Sequence, residues 1–232
     1  MSEQPNRLKR LLSNSTGFLK EVLMIIVGIS IAIWVDKWQN QVKSNQELMN
    51  IYGMLEEDLQ DDTTDIGDIV RDYIEQADIY SRMMANIYTK KELTVCDSCQ
   101  QLMTGYPFLT METRGLQALK EFNYDNRTDS LPNYIITALT AIHSAKDLYF
   151  SHIMEDSEEN TRFWRDNFDW FADYYWDRPN DDFIEYLLND PRHKNRLTYH
   201  ASLVYDNFLL FLELTHAEYT NMLKALNVRL NK

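Results

Sequence analysis

The sequence predicts an all-α protein in which one amino-terminal transmembrane helix continues into the long helix of an extracytoplasmic, up-and-down helical bundle. Glycine and proline together supply only 11 of 232 residues, well below their average combined share of roughly 12%, and all-β folds need both in their turns. An apolar run lies near the amino terminus, and three later segments repeat apolar residues at steps of three and four. Those steps are the period of a helix face.

The charge balance disfavours nucleic acid as a partner. The chain has 23 Lys and Arg against 36 Asp and Glu, a net charge of -13, whereas nucleic-acid binding depends on basic surfaces. A hydrophobic fraction of 44% is enough for a packed core and argues against intrinsic disorder. We therefore expect a folded chain with no nucleic-acid partner.

The first predicted element is a membrane-spanning helix, residues 18–38. It contains an unbroken run of 14 apolar or small residues from Val22 to Val35, and 21 helical residues measure about 31 Å, close to the hydrocarbon thickness of a bilayer. No small-residue cleavage site follows, so we expect a retained anchor in contact with lipid rather than a signal peptide. Residues 1–20 carry a net charge of +3. The positive-inside rule therefore places residues 1–17 in the cytoplasm and residues 39–232 in the periplasm of a bacterial inner membrane protein.

Three residues of this helix could act beyond anchoring. Glu21 lies at the edge of the apolar run, where a carboxylate either reaches the interface and pairs with Lys20 or serves as an intramembrane functional acid. Gly28 and Ala32 form a pair of small residues four apart. Such a pair lets two anchors pack closely, which would make a homo-oligomer.

The anchor sequence resembles an uncharacterised family of membrane-anchored proteins from Bacteroidota, a domain of unknown function. That family's signature reads Gly-Glu, an aliphatic run with Gly-Ile, and Trp-Asn. The resemblance covers about the first 60 residues, through LEEDLQDD at 55–62, with a faint echo at Thr113–Gly115. It implies a location and no activity. Three positions match the signature and two depart from it: Glu21, Gly28 and Trp38 match, whereas Lys20 and Gln39 replace a Gly and an Asn.

The periplasmic part is predicted to be a bundle of three long helices. A heptad seam of apolar residues runs from Leu48 to Ile87, and similar helix faces run from Leu131 to Ile153 and from Leu197 to Leu226. Residues 96–105 and 112–122 are predicted to be shorter helices. Asn189 and Asp190 precede Pro191, a pattern typical of a helix start with its cap.

Seven carboxylates in 13 residues follow the start of the seam. They are Glu56, Glu57, Asp58, Asp61, Asp62, Asp65 and Asp68. A calcium ion could bridge several of them, but calcium loops normally wrap the ion in turns. We expect a solvated acidic helix face.

The only two cysteines, Cys96 and Cys99, form a Cys-x-x-Cys pair. Outside the cytoplasm a disulfide that holds the turn after the long helix is favoured, with a free pair or a metal site as alternatives. No strand pattern surrounds the pair, so a thioredoxin-like site is not supported.

The histidines do not form a recognisable metal site. Glu213 and His216 match one Glu-x-x-His step of a di-iron bundle, which needs a second step that the sequence lacks. His193 and His200 are seven apart, and we expect structural or surface roles for them. The sequence thus predicts no catalytic residue, no metal and no cofactor.

The segment from Phe163 to Trp176 carries eight aromatic residues in 14 positions. One interpretation is a thick helix wedged into the core. The other is an interaction surface formed by Phe163, Trp170 and Tyr174, since exposed aromatic residues are typical anchors of interfaces and of sugar-binding platforms.

These features favour a membrane-tethered, non-enzymatic scaffold or accessory subunit of a cell-envelope complex, with an envelope protein or a second copy as its partner. The alternative is a periplasmic ligand-binding or sensory bundle. Because no second span follows in the sequence, such a sensor would act through a partner protein.

Overall fold

The computed structural model describes residues 5–105, 109–122, 130–176, 178 and 180–231, with side chains from residue 24 on except those of 25 and 26. Every regular element in these ranges is helical, so the all-α prediction is confirmed for them. The helices are α1 (Pro5–Met84), α2 (Lys90–Thr94), α3 (Asp97–Gln100), α4 (Arg114–Glu121), α5 (Leu131–Asn167), α6 (Phe171–Tyr175), α7 (Asp181–Asn189), α8 (Pro191–Ala201), a π-helical segment (Ser202–Phe208) and α9 (Leu209–Leu230).

The chain divides into two compact units, Met1–Asn50 and Ile51–Lys232. In the first unit, the apolar side chains that are described between Met24 and Val42 are exposed. No helix in the part of the chain with described side chains holds a stretch that is long and apolar enough to cross a membrane. The beginning of the predicted span, including Glu21, lies outside the described side chains. Gly28 and Ala32 lie inside α1, and both are exposed.

In the second unit, the predicted seam of α1 is buried over most of its length. Its five most buried members are Tyr52, Leu55, Leu59, Ile66 and Tyr73. The helix ends at Met84 because Asn86 adopts the left-handed conformation, with a φ of 55°, which is typical of a residue that closes a helix. Ile87, predicted as the last member of the seam, therefore lies beyond the helix and is exposed.

The carboxy-terminal helical region begins as predicted. The Asp190 side chain accepts a hydrogen bond from the backbone N–H of Arg192, and Pro191 occupies the first helical position. The prediction of one regular helix is wrong in the middle, where Ser202–Phe208 is π-helical. Phe208 at the end of this segment is fully buried and packs against the rings of Tyr73, Tyr149 and Phe150.

A second aromatic core surrounds Trp164 near the end of α5. Its indole N–H donates to the Tyr186 hydroxyl at 3.0 Å, and the ring of Trp170 lies 5.8 Å away. Helix α5 ends at Asn167 because Phe168 is extended, with a φ of -140°. The chain then folds back, so Trp170 is only 6% exposed. The prediction that Trp170 belongs to an exposed surface is therefore wrong.

Candidate functional site

The structure separates the three residues predicted to form an interaction surface. Trp170 lies in the aromatic core, while Phe163 and Tyr174 are half-buried at the edge of that core. Phe163 lines a groove between α5 and α8, and Tyr174 lines different depressions near α3. The aromatic segment thus supplies residues to two surfaces rather than one.

The α5–α8 groove is an open depression of about 430 Å³. Residues of both helices line it: Asp156, Glu159, Asn160 and Phe163 from α5, and Arg192, Asn195, Arg196 and Tyr199 from α8. The α8 residues follow the spacing of one helix face. We take this groove as the candidate functional site.

Buried polar side chains form the floor of the α5–α8 groove. Asn160 is fully buried, and its amide N–H₂ donates to the Asp156 carboxylate at 3.1 Å. The same carboxylate oxygen contacts Nδ1 of His200 at 2.7 Å. Because Asn160, Asp156 and His200 all belong to helices, the hydrogen bonds between them fix the floor in one arrangement.

Two arginines also line the groove, and each guanidinium group lies over an aromatic ring. The guanidinium of Arg196 lies 3.9 Å from the centre of the Phe163 ring and donates to the side-chain amide oxygen of Asn160 at 3.0 Å. The guanidinium of Arg192 lies 4.9 Å from the Phe168 ring and pairs with Asp190 at 2.6 Å. That pair holds the pKa of Asp190 below its usual value. The groove therefore presents cations that are already oriented.

The Asp156–His200 pair is not placed to act on a molecule in the groove. Asp156 lines the groove, but its histidine partner, His200, is only 2% exposed and is not among the lining residues. An Asp–His pair activates a substrate only when the histidine can reach the reacting atom. In the described part of the chain, no group of three or more His, Cys, Asp or Glu residues is arranged to hold a metal ion.

The acidic cluster of α1 differs from its prediction at two positions. Asp58 and Asp62 are both 3% exposed, because they bind the segment that leads into α4. Asp58 accepts hydrogen bonds from the Arg114 guanidinium at 2.7 Å and from the Gly115 N–H at 2.8 Å. The interpretation of a solvated face is wrong for these two carboxylates, while Glu57, Asp61, Asp65 and Asp68 are exposed as expected.

Asp62 accepts a hydrogen bond from the backbone N–H of Glu112 at 3.0 Å. Burial raises the pKa of Asp62 to about 7, and this hydrogen bond opposes only part of the increase. Gly115 packs so closely on α1 that a Cβ atom there would lie 2.8 Å from the Leu55 backbone nitrogen. Residues 113–115, Thr-Arg-Gly, are therefore the point where α4 docks on the acidic cluster.

Cys96 and Cys99 form a disulfide across α3. The Cys99 side chain is buried in the aromatic core. Both ring nitrogens of His193 are buried without a hydrogen-bond partner among the described residues, and burial lowers the pKa of His193 to about 4. His193 and His200 are thus core residues, whereas Glu213 is exposed and His216 half-buried.

Sequence reasoning missed the α5–α8 groove, although one signal was present. Helix α8 contains three Lys or Arg residues and no acidic one, in a chain whose net charge is -13. The contacts of Arg192 and Arg196 with Phe168 and Phe163 join different elements and have no sequence signature. The chain matches no family model, no curated protein and no solved structure.

Proposed function

We propose that this protein is a membrane-tethered, non-enzymatic scaffold or accessory subunit of a bacterial cell-envelope complex, and that the α5–α8 groove binds its partner protein. The tether is the span predicted at residues 18–38, with the amino terminus in the cytoplasm and the rest in the periplasm. Exposed apolar side chains in its described part support the tether, because an apolar helix exposed on all sides needs lipid or other helices around it. They are Met24, Val27, Ile29, Ile31, Ile33, Trp34 and Val35.

The observation that carries the binding role is the fixed position of Arg196. This side chain lies over Phe163 and is hydrogen-bonded to buried Asn160, so little conformational entropy remains to be lost on binding. Tyr199 beside it is 58% exposed. Arginine and tyrosine are among the residues that contribute most to protein–protein interfaces.

The second candidate function is a periplasmic ligand-binding or sensory bundle that acts through a partner protein. The volume of the groove favours it, because about 430 Å³ lies within the roughly 300 to 1,000 Å³ of small-molecule pockets. In that case the groove would hold a small molecule and the partner would bind elsewhere.

Site-specific cross-linking tests the scaffold proposal. A photoreactive phenylalanine analogue replaces Tyr199 in the full chain, expressed in the source bacterium, and cross-linked products are identified by mass spectrometry. We expect one dominant envelope protein in the product. Adding Arg196→Ala should reduce its yield at least tenfold, since the oriented guanidinium is lost.

Matched variants complete the experiment. The same analogue at Tyr175, which is 69% exposed and outside the groove, should not give this product. Arg165→Ala removes an arginine of α5 that pairs with neighbouring Asp166, and it should leave the yield unchanged. Equal yields of this product from the Tyr199 and Tyr175 positions would contradict the proposal. Native mass spectrometry that detects a bound small molecule only when Arg196 is intact would favour the sensor.

A further inference from the structure

A second surface groove lies beside α3 and α6, apart from the α5–α8 groove. It consists of two adjoining depressions, of about 330 Å³ and about 220 Å³, which share Gln101 and Tyr174 as a common wall. The Tyr174 hydroxyl and the Thr104 hydroxyl are hydrogen-bonded at 2.8 Å. This contact joins the α6 side of the groove to the segment after α3.

One large exposed aromatic ring lines this α3–α6 groove, and a second exposed ring lies beside it. Tyr175 lines the smaller depression, and Trp176 follows it at the end of α6. Both side chains are 69% exposed, and their rings contact each other edge to face with centres 5.9 Å apart. Their neighbours Phe171 and Tyr174 pack on the aromatic core. The exposed pair is thus held on a fixed support.

Apart from Phe183, the remaining side chains that line the larger depression are polar, and they carry both signs of charge. Asp97, Gln100 and Gln101 come from α3 and its end, and Arg178 lines the same depression. The Gln100 amide N–H₂ donates to the Leu93 carbonyl at 2.9 Å, which holds that side chain in place. Carboxylate, amide and guanidinium groups together offer both donors and acceptors to hydroxyl groups.

This combination matches the chemistry of a saccharide. A sugar ring has apolar C–H faces, which pack on aromatic rings, and hydroxyl groups around its edge, which need donors and acceptors. A polyanionic saccharide does not fit, because Asp97 lies in the lining and the net charge of the chain is -13. We propose that the α3–α6 groove binds a short stretch of an uncharged saccharide chain, with Tyr175 as its stacking ring and Trp176 supporting that ring edge to face.

The disulfide supports this groove directly. Helix α3 has only four residues, far fewer than an isolated helix needs for stability. The Cys96–Cys99 disulfide links the residue before α3 to the third residue of the helix, and buried Cys99 anchors α3 to the aromatic core. Reduction of the disulfide should therefore loosen the wall that carries Asp97 and Gln100, and weaken saccharide binding.

Calorimetric titration of the full-length protein in detergent tests the proposal. The probes are chitotetraose, which is N-acetylated, cellotetraose, which is not, and maltotetraose, which differs in linkage. We expect saturable binding of at least one probe. Tyr175→Ala should weaken it at least tenfold, and Trp176→Ala, which removes only the support of that ring, should weaken it less. Helicity should not change in either variant, because both side chains are largely exposed.

Tyr199→Ala is the matched control, since it removes an exposed tyrosine from the α5–α8 groove and should leave saccharide affinity unchanged. A reducing agent should lower the affinity of the wild-type protein. Absence of binding to all three tetrasaccharides, or equal binding by the wild type and the Tyr175→Ala variant, would overturn the proposal. Neither result bears on the protein partner, whose test depends on Tyr199 and Arg196.

Discussion

At the scale of single residues, Asp62 is a carboxylate whose ionisation opposes folding. Its pKa rises from 3.8 to about 7 in the folded chain because burial disfavours the charged form. Between these two values the folded chain binds more protons at this group than the unfolded chain does. Its contribution to the free energy of unfolding therefore falls as the pH rises from about 4 to about 7, and is constant above that.

Asp62→Asn should remove this dependence. The amide oxygen can still accept the Glu112 N–H, and no charge is buried at high pH. We expect the variant to be more stable than the wild type at pH 8 by roughly 2 kcal/mol and nearly equal to it at pH 4. Urea unfolding of both proteins between pH 4 and pH 8 measures the difference. Asp61→Asn, at an exposed neighbour, is the control, and a difference that does not vary with pH would contradict the assigned pKa.

Gly115 is required by the close approach of α4 to α1. In Gly115→Ala the new Cβ would lie 2.8 Å from both the backbone nitrogen and the Cγ of Leu55, so one helix must move. We expect a loss of about 1 to 3 kcal/mol of stability. Gly53→Ala is the matched control, since nothing lies within 4 Å of its Cβ position, and it should gain up to about 1 kcal/mol from helix propensity. Equal effects of the two substitutions would show that α4 does not dock at Leu55.

At the scale of elements, the break between α5 and α6 decides which aromatic side chains are buried. Trp170 packs against Trp164 and Phe183, whereas Trp176 lies at the exposed end of α6. Trp170→Ala should cost about 3 to 5 kcal/mol of stability, because it removes a large buried ring. Trp176→Ala should change stability by less than about 0.5 kcal/mol. Thermal unfolding of both variants compares them, and similar melting temperatures would mean that Trp170 is not part of the core.

The same break shows which features of this fold the local sequence predicts and which it does not. The start of α8 follows from local rules, because Asp190 and Pro191 act on the residues next to them. No Gly or Pro marks the end of α5 at Asn167, so the heptad spacing predicted one continuous aromatic helix. The fold-back instead follows from burial of Trp170 against residues distant in the sequence, and tertiary packing overrides local propensity.

The sequence could indicate only part of the candidate site, for a related reason. The spacing of Arg192 and Arg196 places both on one face of α8, but only the fold brings Phe163 and buried Asn160 to them. Likewise, the carboxylate run of α1 predicted a solvent-exposed acidic face. Which carboxylates are buried depends on the backbone N–H groups of Glu112 and Gly115, and these arrive from the segment around α4.

At the scale of the whole molecule, the proposed location makes one prediction about the intact chain. If residues 18–38 span the inner membrane, the chain should remain in the membrane pellet after extraction with alkaline carbonate. Ile29→Arg with Ile33→Arg should release it, because each arginine at the centre of a span costs about 2.5 to 3.5 kcal/mol on insertion scales. Ile74→Arg, which replaces an exposed isoleucine outside the span, is the matched control and should stay in the pellet.

Protease access then tests the orientation of the anchored chain. Proteinase K should digest residues 51–232 in spheroplasts but not in intact cells, since the proposal places this unit in the periplasm. Cys96 and Cys99 should be joined by a disulfide in the same cells, because disulfides persist in the periplasm and not in the cytosol. Recovery of the intact chain in the soluble cytosolic fraction, with both thiols free, would contradict three proposals together: the membrane anchor, the envelope partner and the disulfide that holds α3.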